Sequence, residues 1–480
     1  MSENLRQKTI TGVFWTATER AGHFAFSIVT TILIARALKP EDYGLMGMLT
    51  VFLAVTGSFV DSGFGQALIR KKDATDTDYS TVFYFSIVVG LFFFVLLFFL
   101  APLIARFYNE PGLVPVSRAT FLLLIINATS QIHHVDLTRK IDFKTITKIN
   151  LISAFVSGSI GIITAYCDFG VWALVYQLLS YAIARGLLLW YLSRWRPIFK
   201  FSKKSFLELF SFGSKLLISG ILYQVTSNIY QLIIGKFYDS RSVGFYTQAN
   251  RIQQIPASSI SSVMQPVTYP ALSKIQDEDT RLKQAFRKIM KQITLVNFPA
   301  LLLLAIVAKP FIQVFLTEKW LPAAPLLSML CIAGMLYPLH AVNLDILKVK
   351  GRSDLFLYLD ILKSILVIGT LLFTTRFGVK IMVCGQVLLS FFCYFLNALV
   401  CGRLINYSIR QQLTDILPYF LTTISVGLFT LLLSFTRLAD LRLLLSQVAL
   451  FMILYLSAMR LFKFEAFNEL QNILFDKLTL

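Results

Sequence analysis

Charge is what this sequence has least of. Acidic and basic residues together make up 15% of its 480 positions, where a soluble domain carries about 25%. Carboxylates are scarcest: 26 Asp and Glu stand against 45 Lys and Arg, for a net charge of +19. The five cysteines, Cys167, Cys331, Cys384, Cys393 and Cys401, form no C-x-x-C pair and lie in or beside apolar runs. That excludes a disulfide framework or zinc module and leaves them as small hydrophobes. No G-x-x-x-x-G-K-[ST] loop occurs, so ATP does not power this chain. No G-x-S-x-G elbow or H-E-x-x-H helix occurs either. Neither enzymatic chemistry, a metal nor an organic cofactor is expected. Residues 1–11 are polar, and Glu19, Arg20 and His23 interrupt the run that follows. Such a run makes a poor signal-peptide core, and no cleavage is expected.

What the chain has in excess is hydrocarbon. Hydrophobic residues make up 56% and the mean hydropathy is +0.68. They fall in runs of about 20 or more residues, the length of a bilayer-spanning helix. A barrel would instead alternate polarity in segments of about 10 residues. The expected fold is an all-α polytopic membrane protein with about 14 spans. They are placed at 12–36, 45–69, 80–105, 113–132, 149–167 and 171–192; at 206–235, 244–272, 293–316, 324–347, 353–375 and 379–402; and at 416–435 and 441–461. Lys and Arg concentrate in alternate connections, such as Arg70-Lys71-Lys72, Arg139 to Lys148 and Arg194 to Lys204. The positive-inside rule makes that side, and with it both termini, cytoplasmic. The net charge is thereby absorbed without nucleic acid.

One stretch recurs. Ile34-Ala35-Arg36-Ala37-Leu38-Lys39-Pro40-Glu41-Asp42-Tyr43-Gly44 is matched by Ile234-Gly235-Lys236-Phe237-Tyr238-Asp239-Ser240-Arg241-Ser242-Val243-Gly244, at a constant offset of 200 residues. Each copy leaves an apolar run through a basic residue, crosses a polar turn and enters the next run at a glycine, the pattern of a helix hairpin. The constant offset implies duplication. The expected organisation is a six-helix lobe over 1–192, a basic linker over 193–205, a second six-helix lobe over 206–402, and two further helices with an amphipathic cytoplasmic tail over 403–480. The segment 277–293 is a second amphipathic stretch, suited either to a lipid surface or to packing on helix ends.

Ionisable residues within spans are costly and mark candidate sites. The first span carries Glu19, Arg20 and His23, with Glu19 and His23 on one face at i,i+4. Asp61 lies in the second span, Arg118 in the fourth and Arg185 in the sixth. The seventh carries Lys215 and the polar stripe Gln224, Asn228 and Gln231. The eighth carries Gln248, Asn250 and Arg251. Asp345 lies in the tenth, and Asp360 and Lys363 pair at i,i+3 in the eleventh. His133-His134 fit a wetted helix end. Arg20, Arg251, Lys215, Gln224, Asn228, Gln248 and Asn250 are the candidate lining of a cavity for an anionic ligand, since guanidinium suits phosphate. Glu19, His23, Asp61 and Asp345 are candidates for ion coupling.

The first hairpin, together with Asp61-x-Gly63, Thr138-Arg139-Lys140-x-Asp142-Phe143, Gly244-x-Tyr246-x-x-Ala249-x-Arg251 and Tyr269-Pro270-Ala271-Leu272-Ser273, resembles the polysaccharide flippases of the MOP superfamily, the Wzx type. The resemblance implies two six-helix lobes in a V with two extra helices, set in a bacterial inner membrane. It implies a polyprenyl-diphosphate-linked oligosaccharide, flipped to the outer leaflet for surface polysaccharide synthesis by alternating access. Membrane lipids, a polysaccharide polymerase and chain-length machinery are the implied partners. A cation-coupled drug exporter of the same superfamily would favour a more acidic cavity. An integral-membrane glycosyltransferase or polymerase would need a large outer loop, and the outer connections here are short.

Overall fold

The computed structural model describes residues 15, 19, 22, 26–61, 63–71, 73–436, 438–469 and 471. All regular structure among them is helical. Twelve helical segments are long and apolar enough to cross a membrane. Of the fourteen expected spans, the eighth forms a 34-residue helix that is too polar to count among them. The first is continuous only from Phe26 within the described residues. The chain divides into two compact units, Met1–Gly244 and Phe245–Leu480.

The first unit holds α1 (Phe26–Ala37), α2 (Pro40–Asp61), α3 (Phe64–Arg70), α4 (Asp76–Tyr108), α5 (Leu113–Thr120), α6 (Leu122–Arg139), α7 (Phe143–Tyr166), α8 (Val171–Leu192) and α9 (Lys203–Phe237). Local chemistry sets these boundaries. Pro40 opens α2 with Glu41 and Asp42 in its first turn, which suits the fixed proline φ and the helix dipole. A reciprocal Thr75–Asp78 capping box starts α4. The sequence Ser205-x-x-Glu208 has the form of a capping box, but Ser202 caps α9 by accepting from the Ser205 amide. Glu208 is drawn instead to Lys71, whose ammonium lies 3.0 Å from Glu208 and 3.1 Å from Asp78. Arg139 closes the same corner by donating to the Lys71 carbonyl at 2.7 Å. Burial alone would lower the Lys71 pKa, but hydrogen bonds to Glu208 and Asp78 outweigh it and raise the value.

The two hairpins meet inside this unit. A Cβ on Gly44 would overlap the Ser240 carbonyl, and a Cβ on Gly244 would overlap the Pro40 carbonyl. Backbone thus lies on backbone in a reciprocal crossing, flanked by Arg241 and Glu41 at 3.5 Å. Lys236 donates to the Phe107 carbonyl at 2.8 Å.

The second unit holds most of α10 (Ser240–Ser273), then α11 (Asp279–Ile306), α12 (Ala308–Phe315), α13 (Ala323–Gly334), α14 (Tyr337–Val349), α15 (Ser353–Thr374), α16 (Val379–Leu404), α17 (Ile409–Leu431) and α18 (Asp440–Leu461). The amphipathic stretch 277–293 is the first part of α11, not a separate surface helix. Its apolar residues Leu282, Phe286 and Ile293 are buried, with Phe286 edge-on to Tyr407. Protein packing therefore covers the face that a lipid surface would have taken. Arg287 grips Asp415 with Nε at 2.6 Å and Nη2 at 2.8 Å, and the Tyr407 hydroxyl donates to the same carboxylate at 2.5 Å. In the tail, Phe464 and Phe467 pack on the cluster around Tyr419, Phe451 and Tyr455. Lys291 holds Glu465 at 2.9 Å, and that hydrogen bond lowers the Glu465 pKa. Leu470, Leu474 and Leu478 lie outside the described residues.

One span is broken between α13 and α14. Pro338 has no amide proton, so the Gly334 carbonyl loses its helical donor. Asn297 fills the gap, donating to the Met335 carbonyl at 2.7 Å and reaching the Gly334 carbonyl at 3.4 Å.

The glycine crossing gives a direct test. Gly44→Ala and Gly244→Ala should each destabilise the purified protein by at least about 1–3 kcal/mol, since backbone cannot yield as a side chain can. Gly220→Ala, whose Cβ would meet nothing within 4 Å, should be neutral or stabilising by up to about 1 kcal/mol. Thermal unfolding of the three variants checks this. Equal melting temperatures would refute it.

Candidate functional site

A polar cavity of about 320 Å³ lies within the first unit, lined by Gly57, Val60 and Asp61 of α2, Leu124, Asn127, Gln131 and His134 of α6, and Arg185 of α8. The α6 residues recur at i, i+3, i+7 and i+10, one face of a helix. Asp61 reaches the cavity where α2 stops. Gly63 takes a left-handed φ of 66° and starts α3, a conformation glycine adopts without strain. Gly65 leaves room for the carboxylate, because a Cβ there would lie 3.3 Å from Asp61 Oδ1. Gln131 Nε2 donates to Asp61 Oδ1.

A second chain of hydrogen bonds runs from the opposite wall. Arg185 Nε donates to Asn150 Oδ1 at 3.3 Å, and Asn150 Nδ2 donates to Glu19 Oε1 at 2.5 Å. Two carboxylates, one guanidinium, one imidazole and three amides thus gather inside membrane-spanning helices. Arg185 is seven residues from Leu192, about 10 Å inside the basic end of α8 at 1.5 Å per residue, and Asp61 is separated from basic Arg70 by all of α3. Groups of this kind, held by amides and in no ion pair among the described residues, can trade partners for an ion.

The other candidates are dispersed. Arg20 and His23 lie outside the described residues; among the described ones Asn150 donates to Glu19. Lys215 lies on α9. Gln224 and Asn228 are half-buried on α9, with Asn228 Nδ2 donating to the Gln224 carbonyl at 2.8 Å. On α10, Gln248 is fully buried with neither side-chain polar atom hydrogen-bonded among the described residues, Asn250 is half-buried and Arg251 is exposed. Asp345 is buried at the end of α14 and pairs with Lys348 at 3.1 Å. Lys363 and Asp360 pair as expected, at 3.6 Å. Arg118 does not line the cavity: its Nε donates to the Phe98 carbonyl at 3.3 Å and its guanidinium lies 4.4 Å over the Phe98 ring.

Sequence reasoning passed over Asn127, Gln131, Asn150 and His134 as site residues and named Arg185 only as an ionisable residue of the sixth span. The signal was the polar spacing 127, 131, 134 on one span. The His133-His134 pair is divided: His133 is buried against Trp190 and Trp195, with ring centroids 4.4 Å and 5.3 Å away, while His134 lines the cavity. The second unit carries an apolar groove of about 620 Å³ between α17 and α18, lined by Leu421, Val426, Phe429, Leu454, Leu461 and Phe462 among others.

Comparison with known proteins places this architecture. A family model described as polysaccharide biosynthesis protein matches residues 33–325, more than half of the chain. The chain belongs to this family. It is 29% identical over 455 residues to the teichuronic acid biosynthesis protein TuaB of Bacillus subtilis (strain 168), covering 93% of this chain and 94% of that one. It is 26% identical to the succinoglycan biosynthesis transport protein ExoT of Rhizobium meliloti (strain 1021), covering 77% and 75%. Among solved structures, the lipid II flippase MurJ in its inward closed conformation superposes with a TM-score of 0.74 at 15% identity, covering 94% of this chain and 98% of that one. That likeness covers the fold of nearly the whole chain.

The cavity predicts a labelling pattern. In a cysteine-free background, Asn127→Cys, Gln131→Cys and His134→Cys should react with a small hydrophilic thiol reagent. Ala128→Cys and Ile132→Cys, at fully buried positions of α6 that do not line the cavity, should not. Mass spectrometry reads the modification, and the reverse pattern would remove the cavity.

Proposed function

We propose that this protein carries a polyprenyl-diphosphate-linked oligosaccharide from the cytoplasmic to the outer leaflet of a bacterial inner membrane, for surface polysaccharide synthesis. It is a multi-pass membrane protein and a transporter, not an enzyme. The observation that carries the reading is a polar cavity with charged walls inside membrane-spanning helices, in a member of the polysaccharide biosynthesis family. A sugar headgroup cannot cross hydrocarbon unaided, because its hydroxyls would give up their water hydrogen bonds, and a diphosphate costs more. A protein that shows a polar path first to one leaflet and then to the other lowers both costs. The isoprenoid tail stays in lipid, with the α17–α18 groove as its guide. Arg251 binds the diphosphate as a bidentate fork. The duplicated six-helix blocks supply the two halves of the alternation. A polysaccharide polymerase then takes up the delivered unit.

Transport is coupled to an ion gradient, with the cavity of Asp61, Glu19 and Arg185 as the exchanging site. The mix of two carboxylates with one guanidinium supports this: an incoming cation takes the carboxylate contacts that amides and Arg185 hold now.

Three measurements test the reading. Asp61→Asn should lower gradient-driven transport in sealed vesicles about tenfold or more, equivalent to about 1.4 kcal/mol, and make the remainder insensitive to ionophore. Wild-type flipping that ignores ionophore would end the coupling but not the flippase reading. Arg251→Ala should weaken substrate binding at unchanged melting temperature, with Arg251→Lys only partly restoring it because the fork is lost; normal binding by the alanine variant would exclude Arg251. Asp239→Cys and Thr280→Cys should label from opposite faces of the membrane, and labelling from one face would overturn the orientation.

A further inference from the structure

The second unit holds a cluster of ionisable groups that the cavity of the first does not use. Its centre is His340 on α14. Asn397 Nδ2, on α16, lies 3.1 Å from His340 Nδ1, and Ser390 Oγ lies 3.4 Å from Nε2. Ser390 gives its own hydroxyl proton to the Ala333 carbonyl at 3.3 Å. These contacts have a direction. A hydroxyl has one proton, so Ser390 can only accept from the ring. An amide nitrogen can only donate, so Nδ1 is an acceptor. The ring is therefore neutral and carries its proton on Nε2.

The other end of the network is unsatisfied. Asn397 is fully buried, and its Oδ1 has no hydrogen-bond partner among the described residues. A buried amide oxygen without a donor is costly. Turning the amide over would bring Oδ1 to Nδ1, and that arrangement requires a proton on Nδ1. With Nε2–H still held by Ser390, the ring would then carry both protons and a positive charge.

We propose that His340 and Asn397 form a proton-binding site in the second unit, where uptake of one proton from water on His340 Nδ1 turns the Asn397 amide and satisfies its unpaired oxygen. The surrounding groups set the balance. From α15, Lys363 opposes the new charge and Asp360, 3.6 Å from it, offsets that opposition. From α16 come Cys393 and Tyr394, the latter with its ring centroid 6.0 Å away. On α13 the ionisable residue is Cys331, and α11 has none from Gln292 to Ile306. On α14 itself Asp345 and Lys348 are paired. The Ser390–Ala333 bond ties the site to the last turn of α13, beside the break that Asn297 spans. Proton uptake thus acts on a discontinuous helix, the kind of element that membrane transporters move.

The experiment uses the full-length protein labelled with 15N-histidine. Of its four histidines, His340 is identified by the signals lost in His340→Gln. At high pH its ring should show the Nε2–H tautomer. Asn397→Asp places a carboxylate against Nδ1 and should raise proton affinity at least about tenfold, one pH unit upward. Lys363→Gln removes the opposing charge and should shift the midpoint the same way. An Nδ1–H tautomer in the wild type, or a midpoint unmoved by either substitution, would overturn the proposal. If Asn397→Asp does not fold, the wild-type tautomer and Lys363→Gln decide. The readout involves no transport, so its failure leaves the flippase reading standing.

Discussion

A polar group inside hydrocarbon must find its partner within the protein, because no water is there to serve. Much of this structure is a response to that constraint. Where Pro338 frees a carbonyl in mid-span, Asn297 is buried to meet it. Where Asp61 and Glu19 enter the spans, Gln131 and Asn150 meet them. Amides suit this role because they satisfy a carboxylate without neutralising it, so the charge stays available to a ligand. At the helix ends the solution changes to ion pairs such as Arg287–Asp415 and Lys71–Asp78, where water and lipid headgroups share the cost.

The hairpin crossing meets a related demand by the opposite means. Without a hydrophobic force between helices in lipid, close packing must hold them together, and small residues at the contact permit it. Gly44 and Gly244 bring α2 and α10 to backbone contact, each against the carbonyl of the other hairpin. The same two glycines are the ends of the repeated motif. The repeat is thus legible because its defining positions have no side-chain freedom.

The transport reading joins these features. Family membership links the chain to polysaccharide biosynthesis, the fold is shared over nearly its whole length, and the polar cavity is where the proposed ion exchange is located.

The sequence by itself determined what depends on local chemistry. Span lengths, the bias of Lys and Arg, the hairpin repeat, the i,i+3 pair of Asp360 and Lys363 and the presence of Asp61 and Glu19 at depth are properties of neighbours along the chain. Tertiary structure decided what depends on partners from distant helices. Asn150 and Arg185 joined Glu19 from α7 and α8; Gln131 and His134 faced Asp61 from α6; and His133, adjacent to His134, went into an aromatic core instead. Protein, not lipid, covered the amphipathic face of 277–293, and Lys71 rather than a helix cap took Glu208. An amide or imidazole reads alike in sequence whether it caps a carbonyl, lines a cavity or holds a carboxylate. Only the packing of helices far apart in the chain fixes which atom lies within 3 Å, and that distance sets the chemistry.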